Sequence, residues 1–176
     1  MPNFTRVDHD PFEHGELVSA FNTTASQKEI WLGAWFGGSD ANRAFNECVI
    51  LQLNGALNRR AFAAAYEQLV ARHDALMMTF SADGEWCIVG RTPDTRLSNA
   101  NLSALNESDQ AAEIVRLRVA EVTQGFDLTQ GPLHRATMIS LRAQQHLFLF
   151  SAHHIVCDWW SAGVLLQDLA ALYRRE

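Results

Sequence analysis

The chain has 176 residues, 48% of them hydrophobic and 19% charged, with a formal net charge of −6. That length suffices for one compact domain with a hydrophobic core, and the acidic balance offers no electrostatic footprint for nucleic acid or an anionic membrane. Lys28 is the sole lysine among 14 basic residues, which excludes a Gly-Lys-Ser/Thr phosphate loop and a buried Schiff-base lysine.

Residues 1–22 read as a polar, unpatterned linker or docking tail, with neither the basic nor the apolar region of a secretory signal. No apolar run approaches the ~20 residues of a membrane span, so a cytoplasmic protein without a membrane partner is expected. Thr24-Ala25-Ser26-Gln27 fits a capping box that opens a helix carrying Ile30, Trp31, Ala34 and Trp35, stopped by Gly37-Gly38. Phe45 to Leu53 is continuously apolar or β-branched and predicts a strand ending at Asn54-Gly55. Asn58 caps a second helix whose Phe62, Ala65, Tyr66, Leu69 and Val70 form one stripe.

Ala75 to Phe80 and Trp86 to Gly90 predict a hairpin around Ala82-Asp83-Gly84. A helix follows from about Asp109 to Thr123, with Ala111, Val115, Val119 and Val122 on one face. Leu133–Leu141 and His146–Ala152 predict two strands; the second is apolar on both faces, hence central in its sheet. A last helix runs from Ser161 to Arg174, with Ser161 a candidate cap. Cys48, Cys87 and Cys157 are too dispersed for a zinc site or a disulfide framework. The pattern predicts an α/β sandwich.

In this reading His153 and His154 leave the end of the most buried strand. Successive side chains of a strand point to opposite faces, so only one imidazole can face a given cavity. That argues against a metal site built on both, and no metal ligand set is expected. Asp158 follows four residues after His154, where a carboxylate holds the loop or gains from the next helix N-terminus. The residues alone leave open whether the histidines are satisfied core groups or a functional pair.

His153-His154-Ile155-Val156-Cys157-Asp158 resembles the signature motif, two histidines, three residues and an aspartate, of condensation domains of nonribosomal peptide synthetases. The wider chloramphenicol-acetyltransferase-like superfamily shares it. TTASQKEIW, Thr23 to Trp31, and ARHDALMMTF, Ala71 to Phe80, are similar to two further segments of that family in the same order. Phe45-Asn46-Glu47 and Phe126 to Leu133 also look like family features.

The resemblance implies a chloramphenicol-acetyltransferase-like sandwich, with 23–176 as the N-terminal subdomain of a two-lobed condensation domain and the C-terminal subdomain absent. It implies a carrier-bound acyl or peptidyl thioester attacked by the amine of a carrier-bound aminoacyl acceptor. The partners would be an upstream donor and a downstream acceptor carrier protein, with substrates on phosphopantetheine arms and no covalently bound cofactor. His154 would be the catalytic residue, as general base or as a positioning donor, with His153 in support. Asp158 would be structural, paired with Arg72. Trp159 stands where the family commonly has glycine and would narrow the acceptor-side tunnel; Met77 stands in place of a second arginine. Isolated, such a half would be inactive. Two other readings stay open: a trimeric acyltransferase using acyl-coenzyme A, and a non-catalytic module that docks carrier proteins.

Overall fold

The computed structural model describes residues 17–90 and 95–176. Thirteen elements follow in order: β1 Leu17–Asn22, α1 Ala25–Phe36, α2 Gly38–Ala44, β2 Asn46–Asn54, α3 Arg59–Arg72, a 3₁₀ turn Asp74–Met77, β3 Met78–Phe80, β4 Trp86–Gly90, β5 Ser98–Asn101, α4 Glu107–Thr123, β6 His134–Arg142, β7 Gln145–His153 and α5 Trp159–Tyr173. They form two sheets. One has strand order β1-β4-β3 and the other β2-β7-β6-β5, with β5 parallel to β6 and the other pairs antiparallel. The expected α/β architecture stands, and β7 is central and buried along nearly its whole length.

Local chemistry explains where the helices begin. The Gln27 amide donates to Thr24 Oγ1 at 3.3 Å, and the Thr24 amide donates to Gln27 Oε1 at 3.2 Å, a reciprocal capping box. Asn58 Oδ1 accepts from the Ala61 amide at 3.1 Å and opens α3. The five predicted α3 stripe residues are all buried. They meet Phe148, Phe150 and Ala152 of β7 and Leu165, Leu169 and Leu172 of α5 in the largest core cluster. A second cluster joins Trp31 and Ala34 of α1 to Phe80, Val89, Phe126 and Ile155. Gly84, at φ +70, turns the β3–β4 hairpin; a Cβ there would lie 2.5 Å from the Trp31 ring, so the close approach requires glycine.

Several expectations are corrected. Within the anticipated tail, Leu17–Asn22 is strand β1, paired antiparallel with β4; residues 1–16 lie outside the described residues. Gly37 ends α1, but a second short helix starts at once. Ala75 to Met77 belongs to the 3₁₀ turn, and only Met78–Phe80 is strand. The polar Ser98–Asn101 pairs in parallel with β6.

The valine face of α4 is not its buried face. Val115, Val119 and Val122 are 56%, 51% and 46% exposed. The helix instead packs through Ile114 and Leu117 onto Ile139 and Leu149. Buried Gln110 donates to the carbonyls of Leu102, Leu105 and Leu141 at 3.0–3.2 Å. Gln110 thereby ties the first turns of α4 to the preceding loop and to β6, which fixes the face that the helix turns to the sheet. Among the described residues no helix is long and apolar enough to cross a membrane.

Candidate functional site

β7 delivers the histidine pair to the end of the four-stranded sheet. Its neighbours hold both backbones there: the His153 amide donates to the Leu133 carbonyl at 2.9 Å, and the His154 amide to the Phe45 carbonyl at 2.8 Å. The chain then turns, with the Val156 and Cys157 amides donating to the His153 carbonyl at 3.0 and 3.3 Å. Gln27 of the capping box donates through Nε2 to the Ile155 carbonyl at 3.3 Å, tying α1 to this turn.

The two imidazoles part as strand alternation requires. His153 is fully buried. Its ring lies 5.7 Å from that of Phe45 and 6.3 Å, edge-on, from that of Phe126. Phe126 is itself held in place, because the Arg135 guanidinium sits 4.0 Å from its ring centroid. Arg135 also bonds Glu121 Oε2 at 2.7 Å and donates to the carbonyls of Glu121 and Gln124, while Asn46 Nδ2 donates to the Gln124 carbonyl at 2.9 Å. These donors finish the C-terminal end of α4. His153 Nδ1 accepts from the Ile155 amide at 3.2 Å, which puts its proton on Nε2. Burial, then the neighbouring His154, pushes the His153 pKa down to about 4, with the Asn42 backbone offsetting part of the shift. A neutral ring with its lone pair occupied has no proton to trade at neutral pH.

His154 is the open member. Its side chain is 39% exposed, and Nδ1 lies 2.6 Å from Glu47 Oε1 on β2. Nδ1 itself is enclosed and lacks the alignment of a hydrogen bond, so the contact is a close approach of the ring nitrogen to the carboxylate. Cys157, next in the turn, is buried. Burial first, then the charges of Glu47 and Asp158, pushes its thiol up to about 12, which removes it as a nucleophile.

Asp158 and Arg72 do not meet as expected. Asp158 is the N-cap of α5: Oδ1 accepts from the Ser161 amide at 2.7 Å and from the Ser161 hydroxyl at 2.6 Å. Those two bonds, hydroxyl first, hold its carboxyl below the usual range. The cap is therefore Asp158 rather than Ser161. Arg72 Nε instead lies 3.1 Å from Asp168 Oδ2, which also bonds His73 Nε2 at 2.9 Å. The reason is the packing of α3 on α5, which places the last turn of α3 beside Asp168. Trp159 opens α5 and is 72% exposed, beside Trp160 at 83%. Among the described residues no group of three or more His, Cys, Asp or Glu side chains is arranged to hold a metal ion.

Reasoning from sequence assigned Glu47 no role, although it named the stretch containing it. The antiparallel register is what brings it in: Glu47 is opposite Ala152, so it shares a sheet face with the residue that immediately precedes the histidine pair.

Comparison with known proteins follows the same line. The family model for the condensation domain matches residues 21–176. Malpibaldin synthetase of Mortierella alpina is 34% identical over 155 residues, 84% of this chain and 3% of that protein. Tyrocidine synthase 3 of Brevibacillus parabrevis is 32% identical over 167 residues, 94% of this chain and 2% of that protein. A variant of the starter condensation domain of rhizomide synthetase RzmA, solved in complex with C8-CoA, superposes with a TM-score of 0.78 at 26% identity, over 88% of this chain and 35% of that one. The chain thus spans a few per cent of these synthetases and about a third of the solved domain. With a match that runs from β1 to the last residue, this chain belongs to the condensation-domain family of nonribosomal peptide synthetases.

Proposed function

We infer that the chain contributes the histidine-bearing part of a condensation site, in which the amine of a carrier-bound aminoacyl group attacks a carrier-bound acyl or peptidyl thioester. The observation that carries this reading is the division within the motif, which leaves His154 accessible at the end of β7 while His153 is sealed. The family match and the related synthetases support the reaction class. That a related starter domain binds C8-CoA supports a thioester donor, here on a phosphopantetheine arm. Donor and acceptor carrier proteins are the partners this reading requires, and Trp159 would border the acceptor side.

Magnitudes say what the site must contribute. An α-amine of pKa ~8 is already about a tenth neutral at pH 7, so supplying the neutral form is worth only about 1.4 kcal/mol. Aligning two tethered reactants is worth on the order of 7–11 kcal/mol. Alignment dominates, and His154 adds a proton path or a contact to the tetrahedral intermediate. The reading is tested with the parent domain and loaded donor and acceptor carriers. His154→Ala should cut single-turnover amide formation roughly 10²–10⁴-fold, and near-normal transfer would remove His154 from the mechanism.

A further inference from the structure

The contact between Glu47 and His154 limits where the imidazole keeps its proton. Nδ1 is 2.6 Å from a carboxylate oxygen and enclosed, whereas Nε2 is not among the enclosed nitrogens of the ring. If Nδ1 carried a lone pair, two lone pairs would face each other inside contact distance with no water between them. A proton on Nδ1 relieves that repulsion although the present approach is oblique, and an oblique approach is of the kind that tightens when a substrate settles the ring. Both ends of the contact are tied by backbone bonds: Glu47 sits in the β2–β7 ladder opposite Ala152, and His154, in the turn just after β7, donates its amide to the Phe45 carbonyl just before β2.

The other polar groups around the ring do not compete for that proton. The Asp158 carboxylate accepts from the Ser161 amide and hydroxyl, His153 is neutral, and the Cys157 thiol keeps its own proton. Among the described residues Glu47 is the one carboxylate at ion-pair distance from His154.

We propose that Glu47 is a positioning residue that keeps the His154 proton on Nδ1 and so presents Nε2 as the bare, proton-accepting nitrogen of the site. This rests on the reading of His154 as the residue nearest the reacting groups. Nε2 then takes the proton that the amine loses as the C–N bond forms. It gives that proton to the departing sulfur as the C–S bond breaks, so thioester and amine become amide and thiol with no other co-reactant. The carboxylate acts as the orienting member of a catalytic dyad does, holding the tautomer without reacting.

Nitrogen-15 NMR of the histidine rings of this chain, at a pH where His154 is neutral and with its signals assigned by His154→Gln, reads the tautomer directly. The expected spectrum has His154 protonated on Nδ1. Glu47→Leu should move the proton to Nε2, and Glu47→Gln, whose amide oxygen still accepts, should leave it on Nδ1. A wild-type ring protonated on Nε2 overturns the proposal before any variant has to fold, as does a tautomer unchanged in Glu47→Leu. In the parent domain Glu47→Leu should lower kcat roughly 100-fold with little change in KM, and Glu47→Gln should restore most of it. A tautomer held by Glu47 beside an unaffected rate would uphold the positioning and contradict the proton role of His154.

Discussion

Two consecutive imidazoles, one strand step apart, live in different media. His153 lies between Phe45 and Phe126 with a pKa near 4, while His154 stands partly in solvent against the Glu47 carboxylate. The same residue type is thereby given two tasks by pleat alone. On the buried side the ring is a shaped, neutral wedge that accepts the Ile155 amide and keeps the turn closed. On the open side an ionisable group is held by its backbone with one nitrogen free. Paired histidines at a strand end thus form one sealed and one accessible imidazole here, not two equivalent ligands.

The largest expected effect on stability comes from acid. His153 and His134 are both buried, and burial is the first cause of a folded pKa near 4 against an ordinary 6.5. The unfolded chain therefore binds more protons than the folded one between pH 6.5 and 4. Stability from these groups is complete above 6.5 and is lost as pH falls through that window, by at most about 3 kcal/mol each. Urea titrations at a series of pH values should show this slope, and His153→Leu should flatten it by roughly half. An unchanged slope would mean that His153 is not held neutral.

A smaller effect separates the motif's aspartate from its histidines. Asp158→Ala removes the α5 cap and should cost about 1 kcal/mol, while Asp158→Ser, which still caps, should cost little. Loss with Asp158→Ser as large as with Asp158→Ala would point to a partner beyond Ser161. Smallest is Arg72→Ala, which breaks an exposed pair with Asp168 worth roughly 0.2–1 kcal/mol. Because Arg72 and Asp158 have different partners, a double-mutant cycle of the two should be additive within about 0.5 kcal/mol. Coupling beyond that would restore the pairing that the family resemblance implied.

What could be read from the residues follows the range of the forces involved. The caps of α1 and α3 and the buried stripe of α3 depend on neighbours within four positions, and they were legible. So was the alternation that separates His153 from His154. The polar Ser98–Asn101 was not, since its pairing with β6 comes from the sheet edge rather than from its own propensity. The α4 valines mislead because periodicity shows that a face exists, not which face the core takes. Arg72–Asp168 and Glu47–His154 depend on helix packing and strand register, contacts 96 and 107 positions apart in sequence. Strand β1, Leu-Val-Ser-Ala-Phe-Asn, has no period-two alternation of its own, and its pairing with β4 is a long-range contact.

The division between the two histidines is tested most directly by measuring, on the same preparations of the parent domain, the melting temperature and the single-turnover rate of amide formation per folded molecule for His154→Ala and His153→Leu. The account predicts that His154→Ala melts within a few degrees of wild type and loses at least ~100-fold in rate, while His153→Leu changes the melting behaviour and retains a rate within a few-fold of wild type. Rates that simply follow the melting temperature in both variants would contradict it.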